Sequence, residues 1–162
     1  MNTGFIKKHF FAIGVFLLVL LRVILNAFIP LMDKTEARYA EIARIMAETN
    51  NYITPQIDYG VPFWAKPPLS TWLSAMSIEI FGANEFAARL PYLLLSILVV
   101  FLIGKYATKE KLPFYLPGFI ILTIPQFLIH AGVVSTDTAL MFCTTLVMLS
   151  FWEGMKENAN KI

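Results

Sequence analysis

Four ionisable residues stand where chemistry at a membrane surface would need them: Asp33, Glu36, Lys66 and Asp137. A carboxylate beside a bilayer can take the proton of an attacking hydroxyl, and an ammonium held near the headgroups can bind a phosphate. Asp33 and Glu36 are spaced D-x-x-E ahead of a helical pattern, so they also read as a capping box, with Asp33 accepting from the first turn and Glu36 reaching back. The two roles are compatible, because a cap fixes a carboxylate in place. Lys66 sits in W-A-K-P-P, where the following proline pushes it out of the helical region. It is either a rigidly aimed phosphate ligand or a snorkelling anchor. Asp137, in V-V-S-T-D-T-A-L-M-F, is costly beside a membrane span, which makes it a functional candidate, with a helix N-cap as its plainer reading. His130 precedes it, and a lone histidine is more often structural than a ligand. Tyr52, Tyr59, Trp64 and Trp72 suit either an interfacial aromatic belt or a sugar-stacking surface.

The elements that must position these groups follow from hydropathy. The chain has 162 residues, 57% hydrophobic and only 15% charged, against about 25% charge in soluble domains. Mean hydropathy is +0.65. The composition therefore predicts an all-α integral membrane protein. Its net charge of +2, with no basic stripe, argues against nucleic acid. Cys143 is the single cysteine, which excludes an internal disulfide.

About 20 apolar residues cross the hydrocarbon core, and this places about four spans, near 10–31, 88–107, 113–131 and 138–153. The first is too long for a signal-peptide core, lacks a cleavage site, and reads as a retained signal-anchor. It carries Arg22 and Asn26 on one face, which should turn away from lipid. Pro113, Pro117 and Pro125 predict kinks in the third. Two amphipathic helices are expected in the large first outer loop, 33–87. In one, over 36–48, Tyr39, Ile42, Ala43 and Met46 share a face and Arg44 can pair with Glu48. The other, over 68–82, carries Trp72, Leu73, Met76 and Ile80 at helical spacing. Lys7, Lys8, Lys105, Lys109, Lys111, Lys156 and Lys161 fall on one side of such a bundle. That side is cytoplasmic by the positive-inside rule. The 33–87 loop and the 130–137 connection then share the outer face. Residues 1–162 read as a single membrane domain, too thin a bundle to be complete, and so as the N-terminal part of a longer protein.

Three runs, T-E-A-R-Y-A-E-I-A-R, Y-G-V-P-F-W-A-K-P-P-L and F-G-A-N-E-F-A-A-R-L-P, resemble in order the aminoarabinose transferase and protein-O-mannosyltransferase superfamily of bacterial membrane glycosyltransferases, of GT-C fold. The likeness covers about residues 30–153. It implies an enzyme of the bacterial cytoplasmic (inner) membrane that moves a sugar, with inversion, from a polyprenyl-phosphate donor to a lipid, glycan or protein acceptor at the outer face. It also implies roles. Asp33 or Glu36 would be the base, and Asp137 a second catalytic carboxylate. Arg38, Tyr39, Tyr59 and Lys66 would bind substrate. Two positions depart from the family: Thr35 stands where an Asp usually precedes the Glu, and Ala65 where a Glu usually precedes Lys-Pro. The second departure leaves a divalent metal ion an open cofactor, with no ligand assigned. The competing expectation is a non-catalytic lipid-binding or transporter subunit, its acids caps and its aromatics a belt.

Overall fold

The computed structural model describes residues 3–31 and 33–159; Lys161, one of the orienting lysines, lies outside the described residues. The chain is almost entirely helical, as the composition requires. Helix α1 spans Thr3–Phe28 and α2 Lys34–Thr49. A two-stranded antiparallel hairpin, β1 (Gln56–Asp58) and β2 (Val61–Pro62), follows. Then come α3 (Leu69–Phe81), α4 (Glu85–Lys109), α5 (Tyr115–Thr123), α6 (Pro125–His130) and α7 (Thr136–Ala159). Three helices are long and apolar enough to cross a membrane, within α1, α4 and α7. The expected third span is not a continuous helix. It is α5 and α6, broken between Thr123 and Pro125, because Pro125 has no N–H to continue the ladder and forces Ile124 into an extended conformation (ψ 115°).

Helix boundaries follow from local chemistry. Pro30 stops α1 shortly after Phe28. Asn50 ends α2 in the left-handed region, φ 52°. Asn84 caps α4, its side chain accepting from Ala87 N at 2.8 Å. At the other end of α4, Lys109 pairs with Glu153 of α7 (2.8 Å) and Lys156 of α7 with Glu110. The ends of α4 and α7 that carry Lys105, Lys109 and Lys156 therefore meet at one end of the bundle.

The core of the opposite end lies between α2, α3 and α4, where Tyr39, Ile42, Ala43 and Met46 bury against Ala75, Ile78, Ala88 and Tyr92. The helix α3 is inside-out by the standards of a soluble protein. Its Ser70, Ser74 and Ser77 are buried, while Leu69, Trp72, Met76 and Ile80 are exposed. Small residues let backbones approach closely where lipid supplies no hydrophobic drive between helices. Ser74 Oγ donates to the Ala88 carbonyl (2.9 Å) and lies 2.9 Å from the Tyr92 hydroxyl, which donates to the Ser70 carbonyl (2.8 Å).

Candidate functional site

Lys66 and Asp137 come together. The loop after β2 carries Lys66 to the start of α7, and both line a cavity of about 280 Å³ with Ser70, Thr136 and Cys143. Lys66 and Asp137 are both exposed. The N-cap reading of Asp137 does not hold. The Ser135 hydroxyl takes that role, accepting from Asp137 N at 3.0 Å. Asp137 stands in the first turn, where the helix dipole favours an anion, and its carboxylate is left for other work. It also lines a second cavity, of about 430 Å³, with Gln126, His130 and Thr138. A further cavity lies against α2, lined by Glu41, Arg44 and Glu85, and touches neither Lys66 nor Asp137.

Asp33 is the N-cap of α2, its Oδ1 accepting from Thr35 N (2.8 Å) and Glu36 N (3.1 Å). Those backbone amides, Glu36 first, hold its carboxyl below the usual carboxylate range. Asp33 does not line the Lys66 cavity.

Glu36 does not complete the capping box. It turns inward, 5% exposed, onto Arg89, 4% exposed. The pair is bidentate, Nε to Oε1 and Nη2 to Oε2, both 2.8 Å. Oε1 also accepts from Val134 N at 3.3 Å. The rest of the Arg89 fork donates to the carbonyls of Asn26 and Pro30 (3.2 Å each) and of Ile29. Both Glu36 oxygens are thus committed, and the geometry gives this carboxylate a clamping task rather than a base's.

Tyr39 is buried in the core, edge-on to Phe63 with centroids 6.0 Å apart. Its place on the apolar stripe of α2 sends it inward, away from the cavity. Tyr59 is exposed on the hairpin turn and its hydroxyl donates to Glu48, in a surface network with Arg44, Glu41 and Glu48. Hydrogen bonds from Tyr59 and then Arg44 hold the Glu48 carboxyl below its ordinary value. Arg38 is exposed. No cluster of three or more metal-ligating side chains gathers among the described residues.

The polar face of α1 does turn inward. Arg22 Nε donates to the Ala131 carbonyl and Nη2 to that of Ile129, both 2.6 Å, at the C-terminal end of α6. Asn26 is buried against Gly132. Sequence reasoning missed Arg89, Ser135 and Gln126. Only Ser135, two residues before Asp137 at a helix start, had a local signal.

The family model described as dolichyl-phosphate-mannose-protein mannosyltransferase matches residues 31–161. Curated relatives include undecaprenyl phosphate-alpha-4-amino-4-deoxy-L-arabinose arabinosyl transferases. That of Wigglesworthia glossinidia brevipalpis is 28% identical over 96% of this chain and 28% of its own length. That of Enterobacter sp. (strain 638) is 32% identical over 78% of this chain and 23% of its own. That of Pseudomonas savastanoi pv. phaseolicola is 27% identical over 72% and 22%. The chain thus spans about a quarter of the length of these relatives. No solved structure matches it.

Proposed function

We propose that this chain, which belongs to the dolichyl-phosphate-mannose-protein mannosyltransferase family, is the membrane-embedded N-terminal part of an inverting glycosyltransferase using a polyprenyl-phosphate sugar. The observation that carries the reading is the shared cavity of Lys66 and Asp137, an ammonium and an uncapped carboxylate at the end of a membrane helix. The relatives named above as undecaprenyl-phosphate sugar transferases support the donor class.

In this reading the Lys66 ammonium holds the donor phosphate and stabilises the charge that grows on it. The acceptor oxygen attacks the anomeric carbon from the face opposite the phosphate. The new C–O bond forms as the old one breaks, its electron pair leaves with the lipid phosphate, and the configuration inverts. The acceptor proton passes to a carboxylate. Asp137 is best placed to receive it, since Glu36 is locked on Arg89 and Asp33 lies off this cavity. Arg38, exposed on α2, does not line this cavity, so Lys66 is the cation this reading assigns to the phosphate. In this reading the site faces the outer side of a bacterial cytoplasmic membrane, because Lys105, Lys109 and Lys156 lie toward the other end of α4 and α7. The acceptor is a lipid, a glycan or a protein.

The test uses the full-length protein in lipid nanodiscs with undecaprenyl-phosphate sugars. Lys66→Ala and Asp137→Asn should each lower transfer by a factor of about 10²–10⁴ without loss of membrane insertion. Transfer retained by both variants sinks the assignment.

A further inference from the structure

The carboxylate of Asp137 belongs to two cavities, and only one of them contains Lys66. We propose that the second is the acceptor subsite, and that it takes an uncharged, hydroxyl-bearing headgroup on an amphipathic molecule. The inference rests on the glycosyltransferase reading for the word acceptor, but the binding it describes does not.

The walls are α6 and the first turns of α7, with Phe127 and Met141 supplying apolar surface and Gln126, His130 and Thr138 polar groups beside Asp137. An apolar cavity with a few convergent polar groups is the usual form of a small-molecule site. The two walls are tied together, since Thr138 Oγ1 donates to the His130 carbonyl at 3.2 Å. The imidazole is not consumed by the fold: His130 Nδ1 is buried and has no hydrogen-bond partner among the described residues. Buried polar atoms nearly always find one.

Charge selects the ligand class. Among the described residues no lysine or arginine lines this cavity, and the nearby Arg22 is spent on the Ile129 and Ala131 carbonyls. Asp137 would repel a phosphate that His130 alone would have to hold. Hydroxyls suit the set, because Gln126 and His130 can donate or accept, while Asp137 and Thr138, whose own proton is spent on the His130 carbonyl, accept. A hydroxyl held here lies beside the same carboxylate that borders the Lys66 cavity, so Asp137 can take its proton as it attacks a sugar held next door.

Cys143 lines the Lys66 cavity and Met141 the second, so thiol protection can tell the two apart. The full-length protein and its Met141→Cys variant are reacted with a polar maleimide in nanodiscs, and the peptides are read by mass spectrometry. Octyl β-D-glucoside, below micelle-forming concentration, should slow alkylation at position 141 several-fold and leave Cys143 unchanged. Undecaprenyl phosphate should do the reverse. His130→Leu should weaken the glucoside's protection about tenfold without touching that by undecaprenyl phosphate, and His130→Gln should restore it. Protection of position 141 by undecaprenyl phosphate, or by octyl phosphate as strongly as by octyl glucoside, overturns the proposal. So does an unchanged glucoside effect in both His130→Leu and Gln126→Leu. A protein that shows this crossed pattern yet transfers no sugar would refute the glycosyltransferase reading and leave the subsite standing.

Discussion

The Glu36–Arg89 pair separates a clamp from a catalyst, and its removal has a calculable cost. Arg89 makes two hydrogen bonds to Glu36 and three to the carbonyls of Asn26, Ile29 and Pro30. Arg89→Leu strips all of these and leaves a carboxylate buried without its partner. Breaking a buried pair in this way costs about 3–5 kcal/mol, a shift of roughly two to three and a half decades in the folding equilibrium. Glu36→Gln keeps the shape and part of the hydrogen bonding, so its cost should be nearer 1–3 kcal/mol. The double variant Glu36→Leu with Arg89→Leu removes both charges together. It should be less destabilised than the sum of the two single leucine variants by about 1–3 kcal/mol. Equilibrium unfolding in mixed lipid–detergent micelles, across the four corners of that cycle, measures the coupling. A coupling under about 0.5 kcal/mol would mean that the pair is two independent residues. A Glu36→Gln protein with unchanged stability and no transfer activity would refute the clamp more directly and return Glu36 to the role of base.

Asp33 contributes through its ionised form. The folded value lies below the ordinary 3.8, so its stabilisation is present above that pH and is lost as pH falls through the lower folded value. Hydrogen exchange at the Thr35 and Glu36 amides should therefore show protection at pH 5, after correction for intrinsic rates, that declines below pH 4 and is absent at all pH values in Asp33→Ala. Gly132 has φ 112°, and a Cβ there would come within 2.9 Å of Asn26 Cγ. Gly132→Ala should cost roughly 1–3 kcal/mol in the same unfolding assay and lower transfer, whereas a silent substitution would show that the segment is loose. Tyr59→Phe should change donor KM less than about twofold, because the ring is tied to the α2 surface by Glu48 and Arg44, off both cavities of Asp137. A tenfold rise in KM would restore it as a sugar contact.

What was legible in the chain was whatever depends on period and hydropathy. The long runs became α1, α4 and α7, and the stripe Tyr39, Ile42, Ala43, Met46 became the buried face of α2. The Arg44–Glu48 pair formed as its spacing implies. Local grammar misled where a distant partner outbid it. Glu36 has the spacing of a capping box, but Arg89 arrives from 53 residues away with a full positive charge, and a bidentate bond between opposite charges outweighs a single bond from a neutral amide. Tyr39 was offered two roles by two kinds of reasoning, and packing kept it. Lys66 and Asp137 share a cavity for reasons no single element contains, since α3 must pack on α7 to close it.

Polar groups at the Asp137 end of the bundle converge on one segment. Arg22 grips the carbonyls of Ile129 and Ala131, Asn26 wedges against Gly132, and Glu36, held by Arg89, accepts from Val134 N. These four side chains come from α1, α2 and α4, yet three of them act on residues 129–134, the segment immediately before Ser135 and Asp137. Side chains of this kind are expensive in or beside a bilayer, and a fold needing only helix association could use small apolar residues instead. Their convergence has a use if the position of Asp137 matters to within a fraction of an ångström, as it must for a carboxylate facing a donor cavity on one side and an acceptor cavity on the other. The chemistry proposed for one exposed aspartate thereby accounts for four charged or polar residues that never touch a substrate.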